Sequence, residues 1–268
     1  MRKITNMTCA AILLSTTALS SATISSALAN SQKPTTSLDT VTVIATKNSR
    51  DTFDTPGMVT VINADDPSNA GSSSVKDLLE GAIGVEFNGS ARRNGQNITM
   101  RGYGSNGLTI LLDGDRQKSE SAHDGKFFVD PNLLKKVEIV RGPSSTLYGS
   151  GGLGGVIAFE TKNAADLLKK DQKLGAMTSL GFSSVNDEWL ASQSVYGRSE
   201  KFDVLLNAVT RNSGDIKLAS GDKLESEDKI LNGMFKLGYS INDFSTLKLN
   251  ISGYQNDAVE PNNPQSDT

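Results

Sequence analysis

Three groups of residues have the types and spacing to do chemistry. Gly149-Ser150-Gly151-Gly152-Leu153-Gly154 has the form G-x-G-x-x-G. That pattern cradles a dinucleotide when a strand leads into it and a helix opens within it, because the helix N-terminus then faces the pyrophosphate. Here it is followed by Val156-Ile157-Ala158-Phe159-Glu160, a short β-branched run that predicts a strand. The nucleotide reading fails on that context. The second group is His123, the one histidine, in Ser119-Glu120-Ser121-Ala122-His123-Asp124-Gly125-Lys126-Phe127-Phe128-Val129-Asp130-Pro131. An imidazole nitrogen can ligate iron; by themselves the residues leave open a surface histidine or a ligand. The third is Asp39-Thr40-Val41-Thr42-Val43, a β-prone pentapeptide between the polar stretch 30–37 and a linker at 47–55. It reads as the first strand of a domain, or as a strand that docks on a partner's sheet edge.

Catalysis is not expected. There is no Gly-x-Ser-x-Gly elbow and no P-loop. The single cysteine, Cys9, lies in a targeting segment: Arg2 and Lys3, an apolar run at 10–19, and the cleavage pattern Ala27-Leu28-Ala29. Cleavage there leaves no thiol for a disulfide, a nucleophile or a metal site. The net charge of −3 and the lack of a basic stripe argue against nucleic-acid binding. No run reaches the length of a membrane-spanning helix, which leaves open a β-barrel, whose strands alternate and escape hydropathy plots.

These groups must be positioned by surrounding elements. Strands are predicted at 58–62, 85–87, 97–102, 108–114, 137–140 and 156–160. A short helix at 75–80 has Ser73 or Ser74 as its cap, and Asp113-Gly114 is a turn signal. Asp130-Pro131 opens a second short helix over 131–136, with an Asp N-cap and Pro at the first position. Between Gly142 and Gly155 the expectation is a Gly/Pro turn and a small-residue loop, where glycines let backbones approach closely. After Lys162 come five segments of about ten residues with alternating character, at 174–185, 189–197, 202–211, 230–240 and 244–254. Short links at 199–200 and 242–243 lie at one set of ends. The link 186–187 and the long connection 212–228 lie at the other. The pattern suits an outer-membrane barrel or a soluble antiparallel sheet.

The phrase from Val137 to Lys162, VEIVRGPSSTLYGSGGLGGVIAFETK, closely resembles the end of the plug domain in TonB-dependent outer-membrane receptors. The likeness extends to Met100-Arg101-Gly102, Leu112-Asp113-Gly114 and Val140-Arg141-Gly142-Pro143, and the pentapeptide Asp39 to Val43 resembles the TonB box. The region from Gln117 to Tyr148 resembles the heme/hemoglobin receptor subfamily. The resemblance implies an α+β plug domain followed by the first antiparallel strands of an incomplete transmembrane β-barrel. It divides the chain into a signal peptide at 1–29, a periplasmic tail with the TonB box at 30–51, a plug at 52–163 and a partial barrel at 164–268. It implies a bacterial outer-membrane location and contacts with membrane lipid, with the TonB energy-transducing complex at Asp39, Thr40, Val41, Thr42 and Val43, and with heme or a heme protein. Heme is the transported ligand, with no intrinsic cofactor, and His123 is the axial-ligand candidate, the one metal contact expected. The subfamily's second heme-contacting histidine has no counterpart here, so coordination through this chain is expected to be incomplete. A handful of strands leaves open edges, so the chain by itself is not expected to work as a transporter. A receptor for a ferric siderophore or another metal complex is the alternative within this class. An exported plug-only binding or regulatory module is the alternative outside it.

Overall fold

The α+β character of the first half follows from where its apolar residues are buried. The computed structural model describes residues 41–42, 50–51, 58–88, 93, 97–104, 106–117 and 128–259, all within the unit Asp39–Thr268. Two short strands come first: β1 (Val41–Thr42) pairs antiparallel with β2 (Arg50–Asp51), Val41 opposite Asp51 and Thr42 opposite Arg50. The module then runs through β3 (Met58–Asn63), a helix Val75–Leu79, β4 (Val85–Asn88), β5 (Asn97–Met100), β6 (Leu108–Leu112), β7 (Asp115–Arg116), β8 (Leu134–Arg141) and β9 (Gly155–Thr161). Its main sheet has the order β3-β8-β9-β6-β7. The β6–β9 pair is parallel and the other pairs are antiparallel. Leu134, Val137, Ile139, Ile157 and Phe159 are buried on it with Leu78 and Leu79 of the helix.

The local chemistry fixes the ends of these elements. Ser74 Oγ accepts from the Asp77 amide at 3.2 Å, and the Asp77 carboxylate accepts from the Ser73 and Ser74 amides. This reciprocal box closes the helix N-terminus. Asp113 and Gly114 both have positive φ, 50° and 93°, which makes the tight primed turn between β6 and β7.

One element differs from the sequence expectation. The helix expected over 131–136 is a single 3-10 turn, Pro131–Leu133, capped by Asp130 as anticipated. Leu134 already pairs with Thr161, and Lys136 with Glu160 across a bulge. Burial of Leu134 on the sheet and the ladder to β9 outweigh the local start signal, as tertiary context commonly does. The loop expected between Gly142 and Gly155 also holds one helical turn, Ser145–Tyr148.

The second half is an antiparallel sheet of β10 (Leu174–Ser183), β11 (Glu188–Arg198), β12 (Phe202–Ser213), β15 (Asp228–Asn242) and β16 (Ser245–Ala258), neighbours in that order. A small hairpin, β13 (Ile216–Lys217) with β14 (Lys223–Leu224), lies in the long connection before β15. The outward face is apolar and exposed, while the inward face mixes buried polar side chains with Leu205 and Val209. On β12, Leu206 is 55% exposed, while Asn207 and Arg211 are 5% and 3% exposed. Val195, Leu206, Phe235 and Ile251 stand opposite one another across four strands and form an apolar outward row. Ser194, Asn207, Met234 and Ser252 make the adjacent inward row. Aromatic pairs mark both ends of the outward face: Phe182 with Trp189 at 4.8 Å, and Phe202 with Tyr239 at 5.0 Å. Trp189 faces Asn212, ten positions along β12 from Phe202. Ten residues span roughly 33 Å, and at the tilt usual in barrels the height is about 25 Å, the thickness of a barrel's apolar band.

Candidate functional site

The inward face of the outer sheet meets the α+β module through a shared apolar core, with Tyr196, Leu205, Val209 and Met234, and through two polar fastenings. At the end carrying the long connection, five charged side chains alternate in sign. Arg93 Nε donates to Asp228 Oδ2 at 2.8 Å, and its Nη2 donates to Glu188 Oε2. Arg211 Nη1 donates to Glu188 Oε1 at 2.6 Å, and its Nε donates to Asp130 Oδ2 at 2.6 Å. The sequence Asp228–Arg93–Glu188–Arg211–Asp130 is thus one continuous chain of ion pairs. Arg93 and Asp130 come from the module; Glu188, Arg211 and Asp228 come from the ends of β11, β12 and β15. Supporting bonds complete it. Ser213 Oγ donates to Asp228 at 2.6 Å, and the Asp130 amide donates to Asn232 Oδ1 at 3.0 Å. Burial draws the Arg93 guanidinium down, but Asp228 and Glu188 outweigh it and hold the group well above its ordinary value.

Toward the short-turn end the hub is Asp113. Its carboxylate accepts from the Thr161 amide at 2.8 Å, Thr161 Oγ1 at 2.6 Å, Asn250 Nδ2 at 2.7 Å and Lys236 Nζ at 3.2 Å. One side chain thereby joins the β6–β7 turn, the end of β9 and two strands of the outer sheet. Asp203 Oδ1 accepts from the Ala164 amide at 3.1 Å and holds the short helix Ala164–Leu167 at the same junction.

The glycine run serves packing. Gly154 leads into β9, not into a helix, so the geometry of a dinucleotide loop is absent there. A Cβ on Gly155 would lie 2.1 Å from the Val140 carbonyl oxygen, and one on Gly151 would lie 2.6 Å from Arg116 Nη2. Arg116 occupies that space to bond the Ser150 carbonyl and Thr109 Oγ1.

His123 lies outside the described residues, as do Asp39, Thr40 and Val43. Val41 and Thr42 are extended and paired with β2. Among the described residues, what the structure brings together is the ionic chain. Sequence reasoning placed Asp130 only as a helix cap and did not single out Arg93, Glu188, Arg211 or Asp228. The available signal was weak: a charged residue at the inward phase of three successive alternating segments.

Comparison with known proteins gives the following. Residues 51–156 match the family model of the TonB-dependent receptor plug domain. The chain is 41% identical over 228 residues to a protein named hemin receptor from Yersinia enterocolitica, covering 85% of this chain and 33% of that protein. It is 33% identical over 223 residues to heme/hemopexin utilization protein C of Haemophilus influenzae (strain 86-028NP), covering 82% of this chain and 31% of that one. Among solved structures, the FrpB iron transporter of Neisseria meningitidis in its apoprotein form superposes with a TM-score of 0.64 at 26% identity, covering 74% of this chain and 32% of that one. The Serratia marcescens hemophore receptor HasR, solved as a double mutant with its hemophore HasA and heme, gives 0.66 at 24% identity over 77% and 32%, a likeness of fold. This chain spans about a third of the length of the curated relatives it matches.

Proposed function

We propose, from the premise that this chain belongs to the TonB-dependent outer-membrane receptors, that it serves the uptake of heme, free or taken from a heme protein such as hemoglobin. The observation that carries the reading is the 41% identity to a hemin receptor over 228 residues, a span longer than the plug match and including strands of the wall. The role is binding and transport, not catalysis. The exposed apolar outward face of the wall, with Ser194, Asn207, Arg211 and Asn232 buried on the face toward the plug, supports a membrane-embedded receptor over an exported plug-only module. His123 is the axial ligand we assign to heme iron. A ligating imidazole must be neutral, so binding weakens as pH falls through the imidazole range, ~6.5 for an unperturbed group. The test is a Soret titration with hemin of the chain folded in detergent, comparing wild type with His123→Ala. The substitution is expected to remove the histidine-ligated spectrum and to flatten the pH dependence. Identical spectra and affinities for the two proteins would overturn the ligand assignment.

Asp39 to Val43 is the segment we assign to the energy-transducing partner, by strand addition. The extended backbone of Val41–Thr42 supports this: pairing with β2 leaves one strand edge to which a partner strand adds. Val41→Pro removes a backbone donor, so site-directed crosslinking to TonB is expected to disappear. Crosslinking at the wild-type level would count against the docking role.

A further inference from the structure

Besides the apolar core that Tyr196, Leu205, Val209 and Met234 share with the plug, plug and wall are fastened at two polar places that differ in kind. The Asp113 hub combines neutral and charged donors on one carboxylate. The chain Asp228–Arg93–Glu188–Arg211–Asp130 is built entirely of charges, all of them nearly buried. Its connectivity turns on one residue. Glu188 accepts from both guanidinium groups, through Oε2 from Arg93 and through Oε1 from Arg211. Without that bridge the cluster falls into two separate pairs, Arg93 with Asp228 and Arg211 with Asp130, each electrically balanced. The five residues carry three carboxylates against two guanidinium groups, so the bridge is also where the negative charge is in excess.

The surroundings equip this cluster to open. A small cavity beside it is lined by Ser74, Arg93, Asp130, Ile230 and Tyr254, a place for water to reach the charges once they part. The guanidinium groups also reach the backbone leading into the helix Val75–Leu79, Arg93 at the Ser73 carbonyl and Arg211 at the Ser72 carbonyl. The helix start, the Arg93 position and the Asp130 turn are therefore held to the wall together.

We propose that Glu188 is the keystone of an ionic latch that fastens the plug to the wall at the long-connection end and opens there without unfolding either body. The Asp113 hub, at mid-strand on β15 and β16, remains closed and acts as the pivot. The latch depends on the plug-in-wall architecture and not on which ligand the receptor carries, so a failure of the heme assignment leaves it standing.

The Asp130 amide is a built-in reporter, because it is a plug donor whose acceptor, Asn232 Oδ1, belongs to the wall. Hydrogen exchange on the full chain folded in detergent micelles reads its opening directly. In the wild type this amide is expected to exchange faster than those of Ile139 and Ile157 in the plug sheet, the signature of local opening. Glu188→Gln keeps the side-chain shape and balances the remaining charges. It is expected to speed exchange at Asp130 at least about tenfold while leaving the β8, β9 and β12 amides unchanged. Asp113→Asn, at the pivot, is expected to leave Asp130 at its wild-type rate. Unchanged exchange at Asp130 in Glu188→Gln overturns the latch. So does a uniform acceleration of all amides, which makes Glu188 an ordinary stabilising residue. If Glu188→Gln does not fold, the wild-type comparison decides: equal opening of Asp130 and Ile139 rejects the proposal.

Discussion

Gly155→Ala is expected to destabilise the plug severely. The added Cβ would sit 2.1 Å from the Val140 carbonyl oxygen and 2.5 Å from Met100 Cε. The methionine tip can rotate away, but the carbonyl belongs to β8, whose ladder with β9 lies at the centre of the main sheet. Relief requires the two strands to separate at Val140 and Arg141. The backbone compounds this, since Gly155 has φ +142°, a region that side chains rarely adopt. Steric overlap with backbone and conformational strain add at one residue, for a cost of about 4 kcal/mol or more. Domains of this size are stable by only about 5–15 kcal/mol in total. Two other glycines separate the causes. Gly114 has φ +93° with nothing within 4 Å of its Cβ, so Gly114→Ala tests strain without overlap and is expected to cost about 1–3 kcal/mol. At Gly152 a Cβ meets only ordinary contacts from 3.5 Å and φ is unexceptional, so Gly152→Ala is expected to be near neutral. Urea unfolding of the three variants is the measurement. A Gly155→Ala protein of wild-type stability would mean that β8 and β9 do not approach as closely as described.

That ranking of glycines shows what was legible beforehand. The run from Gly142 to Gly155 announced close backbone approach, but nothing in it distinguished Gly155 from Gly152, because the obstructing atom belongs to another strand. The wall strands were legible in number and place, since alternation marks a strand, but β15 and β16 run to 15 and 14 residues, past the bounds expected. Which phase faces inward was not legible: Val204, Leu206 and Ala208 would line the core of a soluble sheet, and only the module on the other side makes them the outward face. The helix expected over 131–136 failed for a related reason. Asp130 and Pro131 specify a start, and Leu134 then obeys a ladder to Thr161 that local sequence does not contain. The ionic chain lay furthest from view, because its links between plug and wall join residues 81, 95 and 135 positions apart. Two of the groups that chemistry singled out, His123 and most of the pentapeptide at 39–43, fall outside the described residues, and their roles rest on the sequence and the family.

Arg211→Met is expected to destabilise the association of plug and wall by about 3–5 kcal/mol, the usual cost of removing one partner from a buried pair. Methionine fills much of the volume but supplies no charge. Glu188 keeps Arg93, whereas Asp130 loses both guanidinium bonds, at 2.6 and 3.2 Å, and keeps, among the described residues, the Asn132 amide and side-chain donors. A carboxylate that is 3% exposed is then left without a cation. If the loss arises from that stranded charge, neutralising it restores stability. Adding Asp130→Asn to Arg211→Met is expected to recover more than half of the deficit, even though the double variant lacks more of the native network. Glu188→Gln differs in kind, because it leaves two balanced pairs and is expected to change global stability by less than about 1 kcal/mol while loosening the Asp130 amide. Thermal unfolding of the three variants in one detergent, followed by the near-ultraviolet signal of Trp189 and the tyrosines, makes the comparison. Additive losses in the double variant would show that Arg211 acts through packing of its stem against the plug and not through its charge.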